Sequence, residues 1–145
     1  MNNLTKIKIE KPAKEIFEAF VDPEKIGGFW FSSCSERWEQ GKTVTLRYEE
    51  YNAQGDIKIA ELEANKKIVF HWGTNGEGNK VSIFFTELED HSTSVVIEEE
   101  GFSVNHEDQI LYLLDNKGGW VYTLTCLKAY LEFAVTTLRA SLIKK

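Results

Sequence analysis

The sequence predicts an α+β domain in which a curved antiparallel sheet of six to seven strands surrounds a long C-terminal helix, with two short helices after the first strand. Three patterns indicate this fold. Apolar and polar residues alternate between residues 36 and 100, a leucine-rich stripe with helical spacing follows, and turn residues separate the alternating segments at short intervals. Strands joined by such short connections are antiparallel neighbours.

The N-terminal segment predicts one strand and two short helices. Residues 4–10 alternate in the manner of a half-buried strand. Pro12 is placed in the first turn of a helix, where its missing N–H has no partner to lose. The apolar face of that helix consists of Ile16, Phe17, Phe20 and Val21. Asp22-Pro23 ends this helix and begins a second one over residues 24–26, which Gly27-Gly28 ends.

The middle of the chain predicts the remaining strands. Apolar residues recur at every second position over 44–48, 57–59, 68–72, 81–85 and 95–97. After residue 106 the spacing becomes helical. Residues 107–115 predict a short helix that the sequence Asn-Lys-Gly-Gly at 116–119 interrupts. A stripe of residues then predicts about six helical turns: Trp120, Leu124, Leu127, Leu131, Val135, Leu138 and Leu142.

This order of elements predicts an internal cavity. A sheet of this size has one face to cover, and the sequence offers one long helix with one apolar stripe. A strongly twisted sheet can curl around that helix and leave a gap beside it. The 18 aromatic residues among 145, including four tryptophans, are typical of a large core or of an apolar pocket.

Composition limits the classes of partner. A length of 145 residues predicts a single domain over residues 1–145. The net charge of −6 disfavours nucleic acid and anionic membranes. No apolar stretch is long enough for membrane insertion or for a signal peptide. Two cysteines far apart in the sequence suggest reduced thiols and a cytoplasmic location.

Three motifs resemble one protein family. They are KIKIEKPAKEIFEAFVDPEKIGGFWF at residues 6–31, IVFHW at 68–72, and Gly119-Trp120 followed by LTCLKAYLE. In this order they resemble the activator of heat-shock-protein-ninety ATPase homologue family, a branch of the START-like (SRPBCC) superfamily. The resemblance implies a helix-grip fold of the START/Bet v 1 type and an apolar cavity for a small molecule.

The candidate ligand site combines bulky residues from several predicted elements. These are Trp30, Phe70, Trp72, Phe84, Trp120 and Leu124. The alternative is that they fill the core, because the register of the strands decides which of them share a wall. Glu61 has the same parity as the inward-facing isoleucines and becomes a polar anchor in the cavity, unless a bulge reverses the parity.

Other chemical groups indicate no catalytic site. His71, His91 and His106 lack partners at metal-ligand spacing, so neither a metal nor a cofactor is expected. Cys34 has no identifiable base, and the run of glutamates at 98–100 is interpreted as a solvated strand end. The leading hypothesis is a non-enzymatic protein that binds an apolar or aromatic small molecule, lipid or polyketide-like, in a stress response. The alternatives are an interaction module that regulates a chaperone ATPase, and a small cyclase or dehydratase of the same fold.

Overall fold

A computed structural model describes residues 2–102 and 107–143. Among these, seven strands and two α-helices make up the domain, together with 3-10 turns at Ile26–Gly28 and Glu49–Tyr51. The strands are β1 (Asn3–Ile9), β2 (Ser33–Cys34), β3 (Thr43–Tyr48), β4 (Ala53–Glu63), β5 (Lys67–Trp72), β6 (Lys80–Glu87) and β7 (Thr93–Glu100). The helices are α1 (Ala13–Val21) and α2 (Glu107–Phe133).

The strands form one curved antiparallel sheet in the order β1-β7-β6-β5-β4-β3-β2. The predicted fold class is therefore confirmed. Strands β2 to β7 follow each other as neighbours, and β1 closes the far side by pairing with β7. Only the two-residue strand β2 was not predicted, because it is too short to show an alternating pattern.

Alternation along each strand selects the residues that face the helix. On β5 and β6 the inward positions hold Ile68, Phe70, Val81 and Ile83, which are fully buried. Cross-strand pairs keep this parity, since Phe70 is opposite Val81 and Ile68 is opposite Ile83. The alternating pattern of the sequence therefore corresponds to the two faces of the sheet.

A bulge in β4 decides the position of Glu61. Ile59 pairs with Phe70, but the register then shifts so that Glu61 pairs with Val69 and Leu62 with Ile68. The extra residue reverses the parity of the strand, as bulges do. Glu61 consequently points away from the helix, where its carboxylate lies 2.9 Å from the ammonium group of Lys67. It is not the interior anchor that unbroken alternation would predict.

Helix α1 closes one end of the sheet with a cluster of aromatic rings. Pro12 is its N-cap, and the Pro12 carbonyl accepts hydrogen bonds from the backbone amides of Glu15 and Ile16. Phe20 of α1 contacts the rings of Phe29 and Trp38 edge-on or tilted. Such edge-on contacts suit the ring quadrupole, and this part of the interior is densely filled.

Two expectations from the sequence are wrong for helix α2. Gly118-Gly119 does not interrupt it, since one helix runs through both glycines. It also ends at Phe133 and not beyond Leu142. Ala134 adopts a left-handed conformation with φ of 55°, and its amide donates to the Tyr130 carbonyl over 3.0 Å. This bond satisfies one of the last carbonyls and ends the helix.

The free edge of β1 is covered by side chains of α2. The Lys128 ammonium donates to the Lys8 carbonyl at 2.8 Å, and the Glu132 carboxylate accepts from the Glu10 amide at 2.9 Å. Lys117 bonds the Leu4 carbonyl in the same way. Covering an edge in this manner blocks pairing with other strands and fixes the helix relative to the sheet. No helix within the described ranges is long and apolar enough to cross a membrane.

Candidate functional site

A cavity of about 250 Å³ lies between the sheet, helix α2 and the C-terminal tail, which we define as residues 134–143. Half of the lining residues are aromatic: Trp30, Trp72, Trp120, Tyr48, Tyr51 and Tyr122. The others are Asp115, Asn116, Gly119 and Thr123 of α2, with Arg139 and Leu142 of the tail. The interior is therefore filled at the α1 end and hollow at the opposite end.

Three tryptophans from distant parts of the chain meet at this cavity. Trp30 follows the 3-10 turn, Trp72 ends β5, and Trp120 lies in the middle of α2. The ring centroid of Trp30 is 5.3 Å from that of Trp120 and 6.5 Å from that of Trp72. Each element contributes one ring, so the wall forms only when sheet and helix are docked.

A buried carboxylate, that of Glu99 on β7, holds this wall in place. Glu99 is fully buried on the inner face, opposite Asn3 of β1. Its Oε1 accepts hydrogen bonds from the indole Nε1 of Trp120 at 3.0 Å and of Trp72 at 3.3 Å. Asn116 donates to the same oxygen at 3.2 Å.

The fourth donor to Glu99 comes from the loop before β6. Asn79 Nδ2 donates to Oε2 at 3.1 Å. The carboxylate thus accepts from four N–H groups and donates to none, as acceptor-only carboxylates do, with three bonds on Oε1 and one on Oε2. Such a group is stabilised by its partners, and Glu99 is not among the residues that line the cavity. Glu99 therefore positions the two indoles and is not placed as a general base.

The C-terminal tail crosses the mouth of the cavity. Three tyrosine hydroxyls donate to its backbone carbonyls: Tyr48 to Arg139 at 2.6 Å, Tyr51 to Leu142 at 2.8 Å and Tyr122 to Leu138 at 2.5 Å. The phenols thereby turn their polar ends to the tail and their rings to the cavity. Burial raises the pKa of Tyr48 to about 12, so its hydroxyl stays a donor at any physiological pH.

Arg139 fastens the tail to the sheet side of the mouth. Its Nη1 lies 2.6 Å from Glu50, and its Nε donates to the Trp30 carbonyl at 2.6 Å. The guanidinium also lies 5.0 Å from the ring centroid of Tyr48, within cation–π range. Hydrogen bonds from Arg139 and then Ser32 lower the pKa of Glu50 to about 2. The ion pair is therefore fully charged at neutral pH.

Comparison with known proteins now identifies the family. The model of the family described as "Activator of Hsp90 ATPase homolog 1-like protein" matches residues 10–132. The chain belongs to this family. This confirms the resemblance drawn from the sequence, which was to this family as a branch of the START-like superfamily. No curated protein matches this chain in sequence.

Solved structures agree with this assignment. Protein SSP2350 of Staphylococcus saprophyticus is 51% identical, with a TM-score of 0.83 over 94% of this chain and 95% of that one. The Aha1 dimer of Colwellia psychrerythraea has 20% identity and a TM-score of 0.80, covering 92% of this chain and 97% of that one. DynU16, from the dynemicin biosynthetic locus, has 18% identity and a TM-score of 0.81, covering 96% of this chain and 50% of that one. The last two similarities show the fold alone.

The structure separates the six predicted site residues into three groups. Trp30, Trp72 and Trp120 line the cavity. Phe70 and Leu124 are buried in the core and do not line it. Phe84 lies on the opposite face of the sheet with 37% of its surface exposed. Its parity differs from that of the inward residues on β6, so Phe84 cannot share a wall with the tryptophans.

The other polar candidates remain outside the cavity. Cys34 is partly exposed, and burial raises the pKa of its thiol, which disfavours the nucleophilic thiolate. His71 and His91 are not in the lining, and His106 lies outside the described residues. Across residues 2–102 and 107–143, no three His, Cys, Asp or Glu side chains form a metal-binding group.

Glu99, the three tyrosines and the tail were not among the predicted site residues, and the interpretation of residues 98–100 as a solvated strand end is wrong for Glu99, which is fully buried. For Glu99 a signal existed, since Val95, Ile97 and Glu99 share one parity and the first two are buried. Tyr48 likewise continues the inward parity of Val44 and Leu46. No comparable signal exists for Arg139, because its position depends on the end of helix α2 at Phe133.

Proposed function

We propose that this protein binds an apolar or aromatic small molecule, such as a lipid or polyketide-like compound, in the cavity between β5, α2 and the tail. The aromatic lining of this cavity is the observation that carries the proposal. Binding sites of this kind are concave and mostly apolar, with a few polar groups that orient the ligand. Here Thr123, Asp115 and Asn116 are such groups.

The cavity volume limits the size of the ligand. An apolar cavity of about 150 Å³ accepts a benzene molecule. A cavity of about 250 Å³ therefore suits a compound of one or two rings, or part of a longer chain that leaves through the mouth. Because DynU16 shares the fold and comes from the dynemicin locus, polyketide-like compounds belong in a ligand panel beside lipids and simple aromatics.

The arrangement supports binding more than catalysis. The buried carboxylate of Glu99 is occupied by four donors, and the cation of Arg139 is occupied by Glu50. A cyclase or dehydratase needs a proton-transfer group that is held in place against its substrate. Asp115, the carboxylate of the lining, is exposed, and no hydrogen bond within the described residues orients it. Both cysteines are free thiols, which suits a reducing compartment such as the cytoplasm.

A glycine pair allows a matched test. A Cβ at Gly119 or at Gly118 would meet no atom within 4 Å, but only Gly119 lines the cavity. Gly119→Leu therefore fills the cavity without backbone strain, whereas Gly118→Leu makes the same change beside it. Both substitutions favour the helix, so both variants are expected to fold.

The experiment is a thermal-shift screen of wild type and both variants with lipids and aromatics, followed by native mass spectrometry. A ligand at 100 times its Kd adds about 2.7 kcal/mol, or about 5–10 °C in Tm for a chain of this size. We expect this shift in wild type and in Gly118→Leu, and its loss in Gly119→Leu. No shift in wild type across the panel, with only unliganded mass, contradicts the proposal. Altered turnover of a chaperone ATPase on mixing would then favour the interaction module.

A further inference from the structure

We infer that the ligand carries a compact, weakly hydrated positive charge, such as a quaternary ammonium group or an aromatic cation. This inference rests on the proposed function, because it specifies the chemistry of the molecule that the cavity accepts. Three features carry it: the arrangement of aromatic rings, the carboxylate behind two of them, and the balance of charge around the cavity.

The aromatic lining is suited to a cation. The face of an aromatic ring carries a negative partial charge, and indole is the strongest of the three aromatic side chains in attracting a cation. Trp30, Trp72 and Trp120 all contribute to the lining. The protein already uses one ring in this way, since the Arg139 guanidinium lies over Tyr48 at the mouth.

Glu99 strengthens the attraction through the rings. Both Trp72 and Trp120 donate their indole N–H to its carboxylate. A hydrogen bond to an anion in a low-dielectric interior polarises the donor and increases the electron density of the ring. The faces of these two indoles are therefore more negative than those of a tryptophan whose N–H bonds to water.

The remaining charges around the cavity have a negative balance. Asp115 lines the cavity and forms no hydrogen bond or ion pair within the described part of the chain. The cation of the lining, Arg139, is bonded to Glu50 on two nitrogens, at 2.6 and 3.0 Å. Asp115 and Glu99 thus leave an excess of negative charge that a bound cation would neutralise. An anionic ligand would meet only repulsion from them.

A pair of isosteric compounds tests the charge alone. Phenyltrimethylammonium and tert-butylbenzene have the same shape and differ by one positive charge. Binding to the full chain is measured by the shifts of the indole N–H resonances in NMR titrations, with Trp72→Phe and Trp120→Phe spectra as assignments. We expect the cation to bind at least about tenfold more tightly, and its affinity to fall as salt is raised.

The possible results separate this inference from the proposed function. Equal affinities, or tighter binding of tert-butylbenzene, overturn the inference and leave the proposed function standing. If neither compound binds, the inference fails. The proposed function fails with it only if the wider panel also gives no ligand.

Replacing Asp115 tests whether its carboxylate contributes to binding of the cation. Asp115→Asn is expected to weaken binding of the cation by about three- to tenfold and to leave tert-butylbenzene unchanged, because only a charged ligand senses the carboxylate. Glu24→Gln removes one charge from an exposed position outside the cavity and serves as the control. An equal effect of both substitutions on the cation would show that only net charge matters, and would overturn the assigned site.

Discussion

Replacing Glu99 by glutamine tests whether one buried carboxylate holds the cavity wall together. The carboxylate offers about four acceptor sites, and four N–H groups donate to it. The side-chain carbonyl of glutamine offers only two acceptor sites. The NH₂ group of the glutamine would face N–H donors from which it cannot accept a hydrogen bond. Asn116 cannot rotate to compensate, since its Oδ1 already accepts from Asn3 at 2.8 Å.

The magnitude follows from this count. Two buried donors lose their acceptor in Glu99→Gln, and each such loss costs roughly 1–3 kcal/mol. We therefore expect a decrease of about 2–6 kcal/mol in the free energy of unfolding. Urea denaturation followed by tryptophan fluorescence measures this change, and the indole N–H resonances of Trp72 and Trp120 report the loss of their hydrogen bonds.

The neighbouring Glu100 provides the control. It lies on the same strand and forms a 3.8 Å ion pair with Lys80 at the surface. Glu100→Gln should change the stability by less than about 0.5 kcal/mol, as exposed pairs do. If Glu99→Gln and Glu100→Gln were equal within this margin, the assigned role of Glu99 would be wrong.

Four further substitutions test other parts of the structure. Phe70→Ala should cost about 3–5 kcal/mol of unfolding free energy and Phe84→Ala less than about 1 kcal/mol, because only Phe70 is fully buried; equal losses in urea denaturation would contradict the assigned faces. Ala134→Gly should raise the stability by about 0.5–1 kcal/mol by relieving the left-handed conformation, and an unchanged or lower Tm would contradict that conformation. The Glu50 carboxyl has a pKa lowered from 4.5 to about 2, so its contribution is complete above about pH 4.5 and is lost as the pH falls towards 2. In NMR spectra the Arg139 Nη–H signals, whose nitrogens donate to the Glu50 carboxylate, should follow this loss, and Glu50→Gln should abolish that part of the pH dependence; an unchanged titration in Glu50→Gln would refute it.

Local patterns predicted the organisation of the sheet well, and their failures have physical causes. The bulge in β4 moved Glu61 to the outer face because one extra residue reverses every later side chain. Gly118-Gly119 lowers intrinsic helix propensity by about 1 kcal/mol each, yet the helix continues. Hydrogen bonds from Asn116 and Trp120 to Glu99, on both sides of the pair, hold the two halves in line.

The candidate site was only partly predictable. The three tryptophans were grouped because bulky aromatic residues are typical of apolar pockets, and the structure places all three in the lining of the cavity. Phe84 was grouped with them although alternation along β6 separates it from Val81 and Ile83, and the structure places it on the outer face of the sheet. The tail was missed because the spacing of Leu138 and Leu142 continues the helical pattern, although the chain leaves the helix at Ala134.

The sequence alone determined the element order, the class of fold and the family, because the repeats of two and 3.6 residues that distinguish strand from helix are local stereochemistry. Only the tertiary structure decided where the interior is hollow and which charge lies beside the hollow. The reason is that a carboxylate such as Glu99 can be buried only where donors from β5, the loop before β6 and α2 converge, and those donors are between 17 and 27 residues away along the chain.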